Sequence, residues 1–111
     1  MEIEQPEKEP VQTKAQVMTR LQACQQEFER LGVVRCGVFG SFVRDVDIRD
    51  ESDVDILVAF DPEKKTFRNF MNLAFHLEEI FGRRVDLVTT ESLSPYIGPY
   101  ILAEVEYVST H

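Results

Sequence analysis

Gly40-Ser41-Phe42-Val43-Arg44, followed after a short acidic run by Ser52-Asp53-Val54-Asp55-Ile56-Leu57-Val58, is the part of the chain to which the rest refers. Before it, Val33-Val34-Arg35-Cys36-Gly37-Val38-Phe39 is rich in β-branched and apolar residues and reads as a strand. Gly-Ser then ends that strand and opens a helical turn. Glycine lets the backbone approach a ligand closely, and the serine hydroxyl and first-turn N–H groups suit a phosphate. In the second half, alternation along a strand sets Asp53 and Asp55 on one face, about 6–7 Å apart. Two carboxylates that close repel unless a proton or cation lies between them. Oxygen ligands of this kind suit Mg²⁺, which takes one or two carboxylates and completes its shell with water and substrate phosphate.

Working outward, Thr13-Lys14-Ala15-Gln16 has the form of a capping box and starts a helix. Val17, Leu21, Cys24, Phe28 and Leu31 make one apolar stripe along it, and Gly32 ends it. Residues 1–12, acidic and carrying Pro6 and Pro10, read as a disordered tail, leaving 13–111 as a single domain. Asp45 to Glu51 reads as an acidic exposed loop, and Asp53 to Phe60 as a central strand, apolar on both faces past its aspartates. Thr66 caps a further helix whose inner face is expected to hold Phe67, Phe70, Met71, Ala74, Leu77 and Phe81, with Gly82 as its stop. Arg83 to Thr89 is a third strand, and Gly98-Pro99 begins a short last helix, after which Tyr107-Val108 returns as extended chain.

With 111 residues there is room for one core. A net charge of −8 argues against a long polyanion as partner, because counterion release needs Lys and Arg to drive it. ATP remains compatible, since a metal bridges the like charges. The two cysteines read as reduced, buried small hydrophobes. The N-terminus has no apolar core of a signal peptide and the chain no apolar run of membrane length, so a cytoplasmic location is expected. Neither His76 nor His111 has a partner at zinc-ligand spacing.

Asp86 admits two readings. An acid in an apolar strand either points outward from an edge strand or has its charge compensated in a site. Beside Asp53 and Asp55 it becomes a third carboxylate, which makes a two-metal site conceivable.

Gly-Ser, a spacer, Asp-x-Asp and a later strand aspartate together resemble the signature of the nucleotidyltransferase superfamily, the DNA polymerase β-like fold. Over residues 14–107 the chain resembles the minimal nucleotidyltransferases (MNT), the MntA-type antitoxins paired in prokaryotes with helical HEPN partners. The resemblance implies an α+β, two-layer fold, with a small mixed sheet packed against helices. It implies Asp53, Asp55 and Asp86 as catalytic residues and ligands of two Mg²⁺ ions, with Gly40 and Ser41 on the β- and γ-phosphates of ATP. Arg44 resembles the arginine that follows Gly-Ser in the family, placed to contact phosphate or brace the carboxylates; a surface salt bridge to the acidic loop is its other reading. The chain departs from the pattern in two ways: the spacer Phe42 to Ser52 has eleven residues where the family has ten, and Asp45 stands where the family has glycine.

The implied function is ATP- and Mg²⁺-dependent transfer of AMP to a tyrosine hydroxyl of a HEPN RNase toxin, silencing it within a hetero-oligomer. Two alternatives keep the same residues: an antitoxin that masks its partner by binding alone, and a transferase acting on a small molecule. The partner-binding surface is expected on the Phe-rich helix or near Tyr96 to Tyr107.

Overall fold

The computed structural model describes residues 9–109. Its first helical stretch divides: α1 spans Lys14–Gln22 and α2 spans Gln25–Leu31. At the junction the Cys24 N–H donates to Leu21 O, three residues back, so α1 tightens at its end and a new helix starts. The stripe keeps its register across the break, with Val17, Leu21, Cys24, Phe28 and Leu31 all buried. The expected capping box closes on one side only. Thr13 Oγ1 accepts from the Gln16 N–H at 3.1 Å, but Gln16 Oε1 turns to the Gln12 N–H at 2.6 Å.

Then come strand β1 (Val33–Phe39), the single-turn helix α3 (Ser41–Arg44), β2 (Val54–Phe60), helix α4 (Phe67–Phe81) and β3 (Val85–Thr89). A 3₁₀ turn over Thr90–Ser92 leads to α5 (Gly98–Glu104) and β4 (Glu106–Val108). The four strands form one mixed sheet in the order β3-β2-β1-β4. β2 runs parallel to β3 and antiparallel to β1, which also pairs antiparallel with β4. This is the expected α+β arrangement, a small mixed sheet packed against helices.

Alternation along the strands divides the core. Cys36, Val38, Val54, Ile56, Val58 and Phe60 pack with α1, α2, α3 and α4 in the main apolar cluster. On the opposite face, Phe39 and Leu57 meet Ile101 of α5 in a smaller cluster. That second face is covered only lightly, and the carboxylates stand at its edge. The inner face of α4 differs from expectation, since Leu73, Leu77 and Phe81 are buried while Phe67 is 79% exposed. Helical side chains tilt toward the N-terminus, so the first residue of a helix projects past the core.

The expected tail needs correcting where it can be seen. Residues 1–8 lie outside the described residues, as does His111. Val11, however, is fully buried. Its N–H donates to Phe81 O at 2.9 Å and its carbonyl accepts from Arg83 Nε at 2.6 Å. The packed chain therefore begins before residue 13. Among the described residues no helix is long and apolar enough to cross a membrane. Cys24 and Cys36 are free and buried, and burial pushes the Cys24 thiol up to about 12.

Candidate active site

β1 ends at Gly40, whose backbone (φ +76, ψ −149) an L side chain rarely adopts. A Cβ there would run into Asp55 Oδ2, so glycine is what lets this turn lie against the second aspartate. Gly40 O accepts from the N–H groups of both Val43 and Arg44 at 3.2 Å, which closes α3 directly on the strand end. Ser41 opens that turn, where first-turn N–H groups have no intrahelical acceptor.

Asp55 lies opposite Phe39 on β1 and, in the parallel register, opposite Asp86 on β3. Asp86 is exposed on an edge strand, as the first of its two readings expects, and the parallel register sets it beside Asp55. β2 begins one residue later than expected, at Val54, and Asp53 sits at its mouth, exposed. Asp55 is half-buried. Burial is the main cause that pushes its carboxyl up to about 6, and the charges of Asp86 and Asp53 add to it while Arg44 opposes them. A carboxyl so placed favours its proton until a cation replaces it.

Among the described residues, no three acid, imidazole or thiolate side chains form a ready-made cage for a metal ion. The donor set nonetheless fits Mg²⁺. It is oxygen only, it gathers like charge at Asp55 that Arg44 offsets only in part, and Mg²⁺ needs just one or two carboxylates when phosphate completes its shell.

Arg44 reaches across to α5 and not to the acidic loop. Its guanidinium donates to Glu104 Oε1 at 2.8 Å, and the other oxygen of the same carboxylate accepts from the Gly40 N–H at 2.8 Å. Glu104 is the residue that sequence reasoning missed. A glutamate ending a short helix reads as solvated surface, and only the placement of α5 over the β1 end brings it to Gly40.

Arg83, expected at the start of the third strand, lies in the connection before β3. There its guanidinium donates to the carbonyls of Arg49, Asp50 and Ser52 at 2.7, 3.1 and 3.0 Å. It also stacks over the Phe42 ring at 5.3 Å. One cation thus fixes the end of the eleven-residue spacer just before Asp53. At the spacer's start, Asp45 takes a left-handed backbone (φ 59) and its Oδ1 accepts from the Lys14 N–H at 3.0 Å. The left-handed turn is what a glycine would serve there, and aspartate is among the side chains that tolerate it.

A hollow of about 450 Å³ lined by Asp50, Ser52, Asp53, Arg83 and Arg84 reaches Asp53 but neither Asp55 nor Asp86. Another, of about 370 Å³ and lined by Gln25, Glu29, Val33 and Lys64, lies at the far end of β1 and contains none of them. Large apolar side chains are exposed in two groups, Phe67 and Phe75 on α4 and Tyr96, Ile97, Tyr100 and Leu102 on and before α5, and singly at Val34, Val46 and Tyr107.

The sequence profile of the nucleotidyltransferase domain matches residues 17–108. The chain is 48% identical over 80 residues to the protein adenylyltransferase MntA of Thermococcus cleftensis, an alignment covering 72% of this chain and 79% of that protein. A solved structure described as a minimal nucleotidyltransferase superposes with a TM-score of 0.73 at 35% identity, covering 85% of this chain and 94% of the other. A crystal structure of a toxin–antitoxin with AMP-PNP shares the fold, with a TM-score of 0.62 at 20% identity over 79% of this chain and 70% of its own.

Proposed function

The chain belongs to the nucleotidyltransferase domain family and is a transferase of that kind, and on that premise we propose that it carries AMP from ATP to a hydroxyl of a partner protein. The partner in this reading is a HEPN RNase toxin, the acceptor a tyrosine, and the modified toxin is silent. A cytoplasmic setting agrees with two cysteines that are both free.

The observation that carries the reading is the half-buried Asp55, set between Asp86 and the Gly40 turn with its carboxyl pushed up to about 6. Asp53, Asp55 and Asp86 would hold Mg²⁺. When bound, the ion would neutralise the triphosphate and lower the pKa of the acceptor hydroxyl. Gly40 and Ser41 seat the β- and γ-phosphates through backbone N–H groups, and Arg44 supplies a cation beside them. The acceptor oxygen attacks the α-phosphorus in line; its bond to phosphorus forms as the bond to the β-phosphate oxygen breaks, and pyrophosphate leaves. Alignment and charge neutralisation supply most of the rate in such transfers.

The protein-acceptor reading draws on the 48% identity to a protein adenylyltransferase. It also draws on the exposed Tyr96, Ile97 and Tyr100, an apolar surface on and before α5, the helix whose Glu104 meets the Gly40 turn.

The test is transfer of label from α-labelled ATP, with Mg²⁺, onto a co-expressed HEPN protein, beside an Asp53→Asn/Asp55→Asn chain. Label on the partner that vanishes with the double substitution is the expected result. A stable complex that neutralises the toxin without label, and equally well with both aspartates replaced, would establish masking by contact.

A further inference from the structure

The Glu104 carboxylate lies on two groups that the proposed function assigns to nucleotide phosphates. One oxygen takes the Gly40 N–H and the other takes Arg44, each at 2.8 Å. A carboxylate bridging a backbone N–H and a guanidinium is chemically a stand-in for two oxygens of a phosphate. Its charge also bears unfavourably on Asp55. The contact spans 64 residues of sequence and belongs to the last residue of α5, so it depends on where that helix sits.

We propose that Glu104 is an internal competitor of the nucleotide: it holds the phosphate-binding donors in the nucleotide-free chain and leaves them when ATP arrives. Glu104 is then a residue that sets nucleotide affinity, without touching the reacting atoms. The inference rests on the reading of Gly40 and Arg44 as phosphate ligands.

A consequence concerns α5. Its backbone runs from Gly98 to Glu104, and Ile101 anchors it on Phe39 and Leu57. Releasing the Glu104 end removes the two hydrogen bonds that tie this helix to the Gly40 turn, while the apolar anchor stays. Nucleotide binding should therefore loosen the C-terminal turn of α5 and leave its middle in place.

The experiment is calorimetric binding of Mg²⁺ with a non-hydrolysable ATP analogue to the full chain, comparing wild type, Glu104→Gln, Glu104→Ala and Asp53→Asn/Asp55→Asn. Both Glu104 variants should bind about three- to tenfold more tightly than wild type, the range expected for releasing a partly exposed, charge-assisted contact. The gap should narrow at high salt, because the competing charge is screened. Hydrogen exchange on the wild type gives a second readout that needs no substitution: amides of residues 102–105 and of Gly40 should change protection when the analogue is added.

Weaker or unchanged binding in both Glu104 variants, with wild-type binding intact and dependent on the two aspartates, would overturn the competitor and make Glu104 a brace for Arg44. Unchanged exchange at residues 102–105 on saturation would do the same. Absence of binding in every chain would instead remove the nucleotide reading of the site, and the competitor with it.

Discussion

Asp55 is under opposed demands, because the burial and neighbouring acids that suit it to a cation also make its charge costly when no cation is present. Its carboxyl is raised from an ordinary 3.8 to about 6, chiefly by burial. Between these values the folded chain holds a proton that the unfolded chain has released, so in this window stability falls as pH rises. Since the side chain is half exposed, the effect is on the order of 1 kcal/mol, well short of the full value of such a shift. We expect the metal-free protein to lose thermal stability from about pH 4 to pH 6 and Asp55→Asn to flatten that slope. The variant should be more stable than wild type at pH 7 and should not transfer nucleotide. Melting curves in the presence of a chelator test this, and an equal slope in both chains would count against it. Gly40, Ser41, Asp53 and Asp55 were legible in the sequence because they lie close together and follow one strand rule, whereas Asp86 joins them only through the pairing of β3 with β2. What the sequence did not hold was Glu104, whose place at Gly40 comes from a contact made across the fold.

At the scale of elements, the strands and the helix that ends at Gly82 followed from apolar period and stop signals. The errors fell at ends and junctions. The first helix broke at Cys24 where its last turn tightened, and Phe67 fell outside the core because it opens its helix. Phe67 and Phe75 of α4 are solvent-exposed, as are Tyr96 before α5 and Tyr100 within it, and the latter pair belongs to the segment whose Glu104 hydrogen-bonds the Gly40 turn. We therefore expect Tyr96→Glu/Tyr100→Glu to cut transfer onto the protein partner by tenfold or more while nucleotide binding stays within about twofold, since interface aromatics often carry at least 1–2 kcal/mol. Phe75→Glu is the comparison. Pull-down and labelling on the same chains separate the effects, and a larger loss from Phe75→Glu would move the contact surface to α4.

For the molecule as a whole, one core closed by distant pieces explains why the beginning of the packed chain could not be read locally. Nothing around Val11 has apolar period, and Pro10 precedes it, yet its side chain is fully buried and its backbone is held by Phe81 and Arg83. Arg83 in turn holds the carbonyls of Arg49, Asp50 and Ser52. The N-terminal strap, the end of α4 and the loop leading to Asp53 are therefore one hydrogen-bonded unit. Burial of a valine contributes about 1.5–3 kcal/mol, and each backbone hydrogen bond about 1 kcal/mol net. A chain beginning at residue 13 should thus lose about 4 kcal/mol, which lowers the melting temperature by ten degrees or more in a domain of this size. Val11→Ala should lose about 1–2 kcal/mol of that by side-chain burial alone. Because the strap and the loop share Arg83, the truncated chain should also show faster hydrogen exchange over residues 49–52, a change that Val11→Ala, which keeps the backbone bonds, should largely lack. Equal melting temperatures for the truncated and full chains would mean that the strap adds nothing to the fold. A stability loss without faster exchange at 49–52 would instead confine its role to filling the core.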